Sequence, residues 1–288
     1  DRFGEVDATA RLLRPVLDAA SDGCIVNRDD PLLVRITEEL DKKDRPVHYF
    51  GVAESLRAMF PNDDELLARP TSKKITKLQQ LPGDVELHSI DGHSASFQFG
   101  KDLLKATLQL NGVYNFQNAA AALATVHAVL PTVDNKTLVT QLADVKPAFG
   151  RGETITVAGQ PVDLVLVKNP AGFRLSLQSF VKPGRQYMIT INDHYADGRD
   201  VSWLWDIDFS SLQPYGVASV SGLRAYDMAT RLQYDEILFS RVEPSLHKAL
   251  HDFLLNTEAT PKVIFCTYTA MLHLRKELKK YATLERGL

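Results

Sequence analysis

Val162-Asp163-Leu164-Val165-Leu166-Val167 runs directly into Lys168-Asn169-Pro170-Ala171-Gly172-Phe173, and this join decides the fold class. A short, nearly unbroken run of branched apolar residues reads as a strand buried on both faces. Pro170 suits the first turn of a helix, where its missing N–H is no loss, and Asn169 before it can cap the orphan amides. A buried strand that passes at once into a capped helix is the building unit of an α/β protein with parallel strands. The same switch recurs downstream: Tyr187–Ile191, Val217–Val220, Glu236–Phe239 and Lys262–Thr267 read as further strands, with helical segments between most of them. A Rossmann-like C-terminal domain over residues 153–288 is the expectation.

Upstream of that unit the pattern is α/β again. Ala10, Leu13, Val16, Leu17 and Ala20 recur at three- and four-residue spacings, Cys24–Val26 reads as a short buried strand, Pro31 opens a helix and Val47–Val52 forms another strand. The polar stretch 61–82 reads as an exposed loop or small insertion. Val85–Ile90, Ala95–Phe99 and Leu104–Leu110 predict a β-meander with a turn at Asp91-Gly92. A helix starts near Asn115, its small Ala119–Ala122 run allowing close packing, and a second covers Lys136–Val145. Pro147, Gly150 and Gly152 mark the domain boundary, which assigns residues 1–152 to a first domain.

The whole chain has 288 residues, 44% hydrophobic and 24% charged, which fits a folded globular protein and excludes wholesale disorder. With 33 basic against 36 acidic residues the net charge is −3, so nothing in the bulk charge draws it to nucleic acid or to an anionic membrane. The two cysteines, Cys24 and Cys266, each lie in an apolar strand-like run and read as buried reduced thiols, and they cannot form a four-cysteine metal site. No apolar stretch reaches the length of about 20 residues that spans a bilayer. A cytoplasmic protein without a transmembrane segment is expected. The absence of an initiator methionine at Asp1 suggests a processed or truncated chain.

In open parallel sheets ligands gather beyond the carboxyl ends of the strands, so the residues after each run are the candidates for chemistry. After the strand ending at Ile191 comes Asn192-Asp193-His194-Tyr195-Ala196-Asp197-Gly198-Arg199-Asp200-Val201-Ser202-Trp203-Leu204-Trp205-Asp206. It is rich in acids and holds a His, an Arg and both tryptophans, and it reads either as a functional loop or as a polar loop of Asx-turns with packed tryptophans. Lys168 and Asn169 hold the corresponding place after Val167, and Asn27-Arg28-Asp29-Asp30-Pro31 after Val26. The histidines show no His-Glu-x-x-His spacing and no Gly-x-Ser-x-Gly elbow occurs, which sets metallohydrolase and serine hydrolase chemistry aside.

Gly112-Val113-Tyr114-Asn115-Phe116-Gln117-Asn118-Ala119-Ala120-Ala121-Ala122 resembles the Mur ligase pattern G-x-[HY]-N-x-x-N-x-x-A-A. Asn27 to Pro31 is similar to the N-x-D-D-P segment of that family, and Gly150-Arg151-Gly152-Glu153 to its G-R-x-E segment. Lys168 to Phe173, Asn192 to Trp203, Ser221-Gly222-Leu223-Arg224-Ala225-Tyr226-Asp227-Met228-Ala229 and Thr267-Tyr268-Thr269-Ala270-Met271-Leu272 narrow the likeness to the MurT family, the Mur-ligase-like subunits of lipid II isoglutaminyl synthases. The resemblance covers nearly the whole chain except about residues 53–100. Two departures stand out: the family's G-T-N-G-K-T phosphate loop has no counterpart here, and neither has the four-cysteine zinc ribbon of many relatives.

The resemblance implies part of a Mur ligase central domain followed by the C-terminal Mur ligase domain. It implies a carbon–nitrogen ligase that uses ATP with Mg to activate the D-glutamate α-carboxyl of lipid II as an acyl phosphate. Ammonia from a GatD-type glutaminase subunit then attacks, giving D-isoglutamine in peptidoglycan synthesis at the inner face of the cell membrane. Asn27, Asp29, Asp30, Asn115, Asn118 and Arg151 are carried over to the nucleotide side. Asp200, or alternatively Asp197, is the carboxylate lent to the glutaminase's Cys–His pair. Lys168, Asn169, Asn192, Asp193, His194 and Arg199 are substrate or interface candidates, and no zinc is expected. Without its phosphate loop the chain is expected to be inactive alone. The alternative is a non-catalytic docking module that binds and tunes a glutaminase.

Overall fold

The computed structural model describes residues 6–41, 45–61, 84–146, 151–255 and 260–281. The chain divides into two compact units, one of Asp1–Leu110 and Tyr114–Lys146, the other of Asn111–Val113 and Pro147–Leu288.

The first unit is built on a five-stranded sheet of order β1-β2-β3-β4-β5: β1 (Cys24–Asn27), β2 (Val47–Val52), β3 (Val85–Asp91), β4 (Ser94–Phe99) and β5 (Asp102–Thr107). The first three strands are parallel and the last two add an antiparallel meander, turning at Gly92-His93 and Gly100-Lys101. Helices α1 (Val6–Ala19), α2 (Pro31–Asp41), α3 (Val113–Val129) and α4 (Asn135–Leu142) accompany it. Val52, Val85, Leu87 and Phe97 are fully enclosed on the sheet. In α3 the small Ala119, Ala120 and Ala124 are buried, as are Phe116 and Leu123. The periodic face of α1 is only partly used. Ala10 is buried and Leu17 packs on the cluster of Cys24, Val26 and Leu40, whereas Leu13 and Val16 stay exposed.

The second unit carries six strands in the order β10-β9-β8-β11-β7-β6, parallel except at the β6–β7 edge: β6 (Arg151–Val157), β7 (Gln160–Leu166), β8 (Gln186–Thr190), β9 (Ser219–Ser221), β10 (Val242–Glu243) and β11 (Lys262–Cys266). Its helices are α5 (Pro170–Phe180), α6 (Ala225–Tyr234), α7 (Leu246–Leu255) and α8 (Tyr268–Leu278). As the sequence predicts, Asn169 caps α5, its Oδ1 accepting from the Gly172 N–H at 2.8 Å. Asp163, the one acid in the β7 run, is buried but satisfied by the Thr154 hydroxyl and by Arg185 at 2.7 Å. Asn111–Val113 joins this unit through Asn111 Nδ2 to the Gly152 carbonyl and the Val113 N–H to Ser179 Oγ.

Two differences from the sequence reading have local causes. Strand β6 was not anticipated: Ile155 and Val157 point inward while Thr154 and Thr156 face out, a short alternation easily absorbed into a boundary. It turns into β7 through Ala158 and Gly159, both with positive φ (48° and 78°), as a two-residue hairpin of the I′ kind requires. Glu236–Phe239 is not a strand. Glu236 sits at φ 56°, Phe239 makes one isolated bridge to Val217, and the edge strand forms later at Val242–Glu243. The polar stretch 61–82 lies, after Pro61, outside the described residues, as do Pro147 and Gly150.

Helices α7 and α8 are tied by Glu277, which accepts from His247 Nδ1 at 2.8 Å and from Lys280 Nζ at 2.6 Å. These two bonds, Lys280 first, hold its carboxyl at about 2, below the ordinary 4.5. A carboxylate depressed in the folded state stabilises it above the unfolded value and loses that contribution as pH falls through the folded value. Acid titration of the parent chain and of Glu277→Gln should therefore show stability curves that differ above pH 4.5 and converge between 4.5 and about 2. A gap independent of pH would remove Glu277 as the cause.

Candidate functional site

The two units each gather charged side chains at the carboxyl ends of their parallel strands. In the first, Arg28 follows β1 and is buried. Its Nη2 donates to the Val52 carbonyl at 3.1 Å and pairs with Glu86 on β3. Asp29 accepts from the Val52 N–H at 2.8 Å and pairs with Arg57 at 2.7 Å. Burial raises the Asp29 carboxyl, while the Val52 amide and the two arginines offset part of that rise. Gly51 makes room for this knot, since a Cβ there would lie 2.6 Å from Arg28 Nε and 2.8 Å from Asp29 Oδ2.

The neighbouring polar residues serve the backbone. Asp30 Oδ1 accepts from the Leu32 and Leu33 amides at the start of α2, and Asn27 Oδ1 accepts from the Asp29 N–H. Asn27, Asp29 and Asp30 thus share one strand end, with side-chain oxygens engaged internally. Asn115 is buried in the first turn of α3, and Asn118 is exposed one turn further on. The backbone of Arg151 begins β6, but its side chain lies outside the described residues.

The second unit brings three strand ends together. Asn192, at the end of β8, is buried; its N–H donates to Thr267 Oγ1 at 2.9 Å, its Nδ2 to Thr269 Oγ1 at 3.0 Å, and its Oδ1 accepts from the Leu223 N–H at 3.0 Å. One side chain therefore links β8 to the segment after β9 and to the start of α8. Asp197 is 6% exposed and reaches the same helix, accepting from the Thr269 N–H at 2.8 Å and from the Thr269 hydroxyl. A carboxylate at a helix N-terminus satisfies orphan amides and meets the positive end of the helix dipole. Asp193 pairs with Arg224 through Nε at 2.9 Å and Nη2 at 2.7 Å.

Asp200 behaves differently. It is exposed, and its Oδ1 accepts from the Ser202 N–H at 2.8 Å within its own Asx-turn, which lowers its carboxyl below the usual range. The turn leads into a 3₁₀ segment, Ser202–Asp206, held from below by the buried Arg231, which donates to the carbonyls of Leu204 and Ile207. Trp203 leans on Phe173 and Trp205 stacks edge-on to Tyr234, so the tryptophans are structural, as the blander reading holds. His194 and Arg199 are exposed on the same loop, and Lys168 and Asn169 are exposed after β7. The Cys266 thiol is buried; burial first, and the Asp197 charge second, push it far up, so it is no nucleophile.

Arg224, Thr267 and Thr269 were not singled out as site residues by sequence reasoning. Their signals are position, directly after the β9 and β11 runs, and membership of the Ser221–Ala229 and Thr267–Leu272 stretches that carry the resemblance.

These two units have the fold of the Mur ligases. A pseudomurein peptide ligase type C from Methanothermus fervidus superposes with TM-score 0.71 at 15% identity, covering 96% of this chain and 60% of that one. MurF from Thermotoga maritima in complex with ADP superposes with TM-score 0.63 at 17% identity, covering 98% and 60%.

Within that class the C-terminal unit is more specific: residues 166–271 match the family described as MurT ligase C-terminal. The MurT subunit of lipid II isoglutaminyl synthase from Streptococcus pneumoniae is 28% identical over 71% of this chain and 44% of its own length. That of Staphylococcus aureus strain COL is 24% identical over 97% of this chain and 67% of its own. Residues 166–271 of the second unit are thus similar to a MurT ligase C-terminal domain, and the chain spans 44% to 67% of the length of these curated relatives.

The close approach that locks the strand ends is at Gly222. Its φ is +95°, and a Cβ there would lie 2.4 Å from the Ile191 carbonyl oxygen and 2.9 Å from Asn192 Oδ1. Gly222→Ala is expected to destabilise the second unit by about 1–3 kcal/mol. Urea titration followed by tryptophan fluorescence measures it, since both tryptophans, Trp203 and Trp205, lie in this unit. An unshifted midpoint would show that the turn relaxes freely.

Proposed function

We propose that this chain is the ligase-side subunit of a glutamine-dependent amide ligase that acts on a peptidoglycan precursor. The observation that carries the reading is Asp200: an exposed carboxylate, held ionised by its own turn, on a fixed loop at a strand end of the MurT ligase C-terminal domain. Tyr195 stands exposed on the same loop, Leu223 on the segment after β9 and Tyr226 in the first turn of α6. Apolar side chains around a charged centre make a protein-docking surface. A glutaminase of the GatD type seated there would receive a carboxylate to accept the Nδ1–H of its histidine and stabilise the imidazolium formed when its cysteine is deprotonated.

The reaction then divides chemically. Glutamine hydrolysis releases glutamate and ammonia in one subunit. On the ligase side, a carboxylate oxygen of the precursor attacks the terminal phosphorus of ATP, leaving ADP and an acyl phosphate. Ammonia adds to the acyl carbon, phosphate departs, and the extra proton is lost to give the amide. On this reading the carboxylate is the D-glutamate α-carboxyl of lipid II and the work is done at the inner face of the membrane; the relatives named as lipid II isoglutaminyl synthase subunits support it. No helix among the described residues is long and apolar enough to cross it.

The ADP complex of the Thermotoga MurF supports ATP as co-substrate for the fold. The described residues of the first unit fit a nucleotide only loosely, because Asn27, Asp29 and Asp30 spend side-chain oxygens on their own backbone and on Arg57. Among the described residues, no three His, Cys, Asp or Glu side chains are placed to hold one metal ion, so no step is assigned to Mg. That internal commitment favours a second reading, a docking module that tunes a glutaminase without transferring phosphate.

Glutamine hydrolysis by a purified GatD-type glutaminase, measured with and without this chain, tests the shared part of both readings. Stimulation by the parent chain and its loss by about 100-fold or more in Asp200→Asn are expected, by analogy with carboxylates that orient a catalytic histidine. Full stimulation by the Asp200→Asn variant sinks the lent-carboxylate role. ATP-dependent amidation of lipid II by the complex separates ligase from module.

A further inference from the structure

Among the described residues Asp200 has no side-chain hydrogen bond beyond its own turn. Its bond to the Ser202 N–H is local, so its direction follows from what holds the chain on either side. The far end is held by Arg231, through the Leu204 and Ile207 carbonyls. At the near end Gly198, at φ +95°, donates its N–H to the His194 carbonyl at 3.1 Å. The side chain that ties this end to the rest of the unit is that of Asp197.

Asp197 is anchored from two directions. Its Oδ2 accepts from the His194 N–H at 3.2 Å and from the Thr269 hydroxyl, and its Oδ1 from the Thr269 N–H at 2.8 Å. Its own N–H donates to the His194 carbonyl at 2.8 Å, closing the turn. The Thr269 oxygen also accepts from Asn192 Nδ2, so a single hydroxyl joins the loop acid to the end of β8. With its proton donated to Asp197 and a lone pair given to Asn192, that hydroxyl has one direction open to it. Among the described residues it makes the one side-chain hydrogen bond from α8 to the Asp197 carboxylate.

We propose that Thr269 and Asp197 are the positioning residues of the Asp200 carboxylate, with the Thr269 hydroxyl as the contact that aims the 198–202 turn at the partner's histidine. This rests on the reading of Asp200 as the carboxylate lent to a glutaminase. Asp197 itself is enclosed and committed to three donors, which excludes it as the lent group. A displacement of about 1 Å in a reacting constellation costs on the order of 100-fold in rate, so loosening the aim is visible in turnover without loss of binding.

The test uses the complete chain with a purified GatD-type glutaminase. Thr269→Val keeps the shape of the side chain and its backbone N–H but removes the hydroxyl; Thr269→Ser keeps the hydroxyl. In Thr269→Val, stimulated kcat is expected to fall about 10–100-fold, while KM for glutamine and the affinity of the two subunits, followed by sedimentation, stay unchanged. Thr269→Ser should recover most of the parent turnover. Should the valine variant lose its native tryptophan fluorescence, Thr269→Ala against Thr269→Ser reads the same hydroxyl. Full turnover by the folded hydroxyl-less variants, with Asp200→Asn inactive, overturns the positioning role and leaves the lent carboxylate standing. Full turnover by Asp200→Asn instead removes the reading underneath, and the inference with it.

Discussion

Strand β11 is inserted between β7 and β8, with neighbours fixed on both sides by parallel ladders from Lys262 to Cys266. That placement governs the second unit. Every residue of β11 is buried, which explains its unbroken Val263-Ile264-Phe265-Cys266 run, and the strand delivers the start of α8 beside the end of β8. Without it, Thr267 and Thr269 could not reach Asn192, and the loop after β8 would lose its floor. Burial of four such side chains favours folding by several kcal/mol, at about 1.5–3 kcal/mol for each large one. The gain from the Asn192 and Asp197 hydrogen bonds is smaller, about 1 kcal/mol each. Packing therefore sets where the strand ends lie, and the polar network sets only their relative angles.

The charges in the two units are handled differently. In the first, Arg28, Asp29, Arg57 and Glu86 form a knot whose arginine side chain is 4% exposed. A buried pair of this kind adds little net stability over an apolar filling, yet removing one partner costs about 3–5 kcal/mol because the other charge is stranded. Such a knot fixes how β1, β2 and β3 end relative to one another, and it leaves little carboxylate free for a ligand. In the second unit the pair of Asp193 with Arg224 is partly exposed, so solvent screens it and its worth is mainly geometric.

The α/β alternation was legible because buried parallel strands write themselves as continuous apolar runs, and Val162–Val167 and Lys262–Thr267 did so without ambiguity. The cap at Asn169 was legible for the same local reason. Strand β6 was hidden because an edge strand with one buried face shows only the short Thr-Ile-Thr-Val alternation. Glu236–Phe239 looked like a strand because Ile237 and Phe239 alternate with Glu236 and Leu238, but the left-handed turn at Glu236 serves the end of α6 instead. In α1, spacing correctly marked Ala10 and Leu17, yet periodicity carries no information on how wide a face its neighbours cover. At the candidate site the loop after β8 was found from its composition. The partners of its acids, Arg224 and Thr269, lie 31 and 72 positions away in sequence, and no local pattern connects them.

The resemblance leaves Asp200 first and Asp197 as its alternative, and the two carboxylates lie in different surroundings. Both lie three residues apart on one loop, both are Asp, and each accepts a backbone amide. A group that must serve a second protein needs a face that solvent, and then the partner, can reach; it also needs a fixed direction, which it cannot obtain from bonds that occupy that face. The two demands conflict within one carboxylate. Asp197 is enclosed and accepts from three donors, whereas Asp200 stays exposed, its carboxyl lowered by the Ser202 N–H first and the Ser202 side chain second. Gly198 between them lets the chain turn from the buried position to the exposed one, at a φ that other residues adopt only under strain.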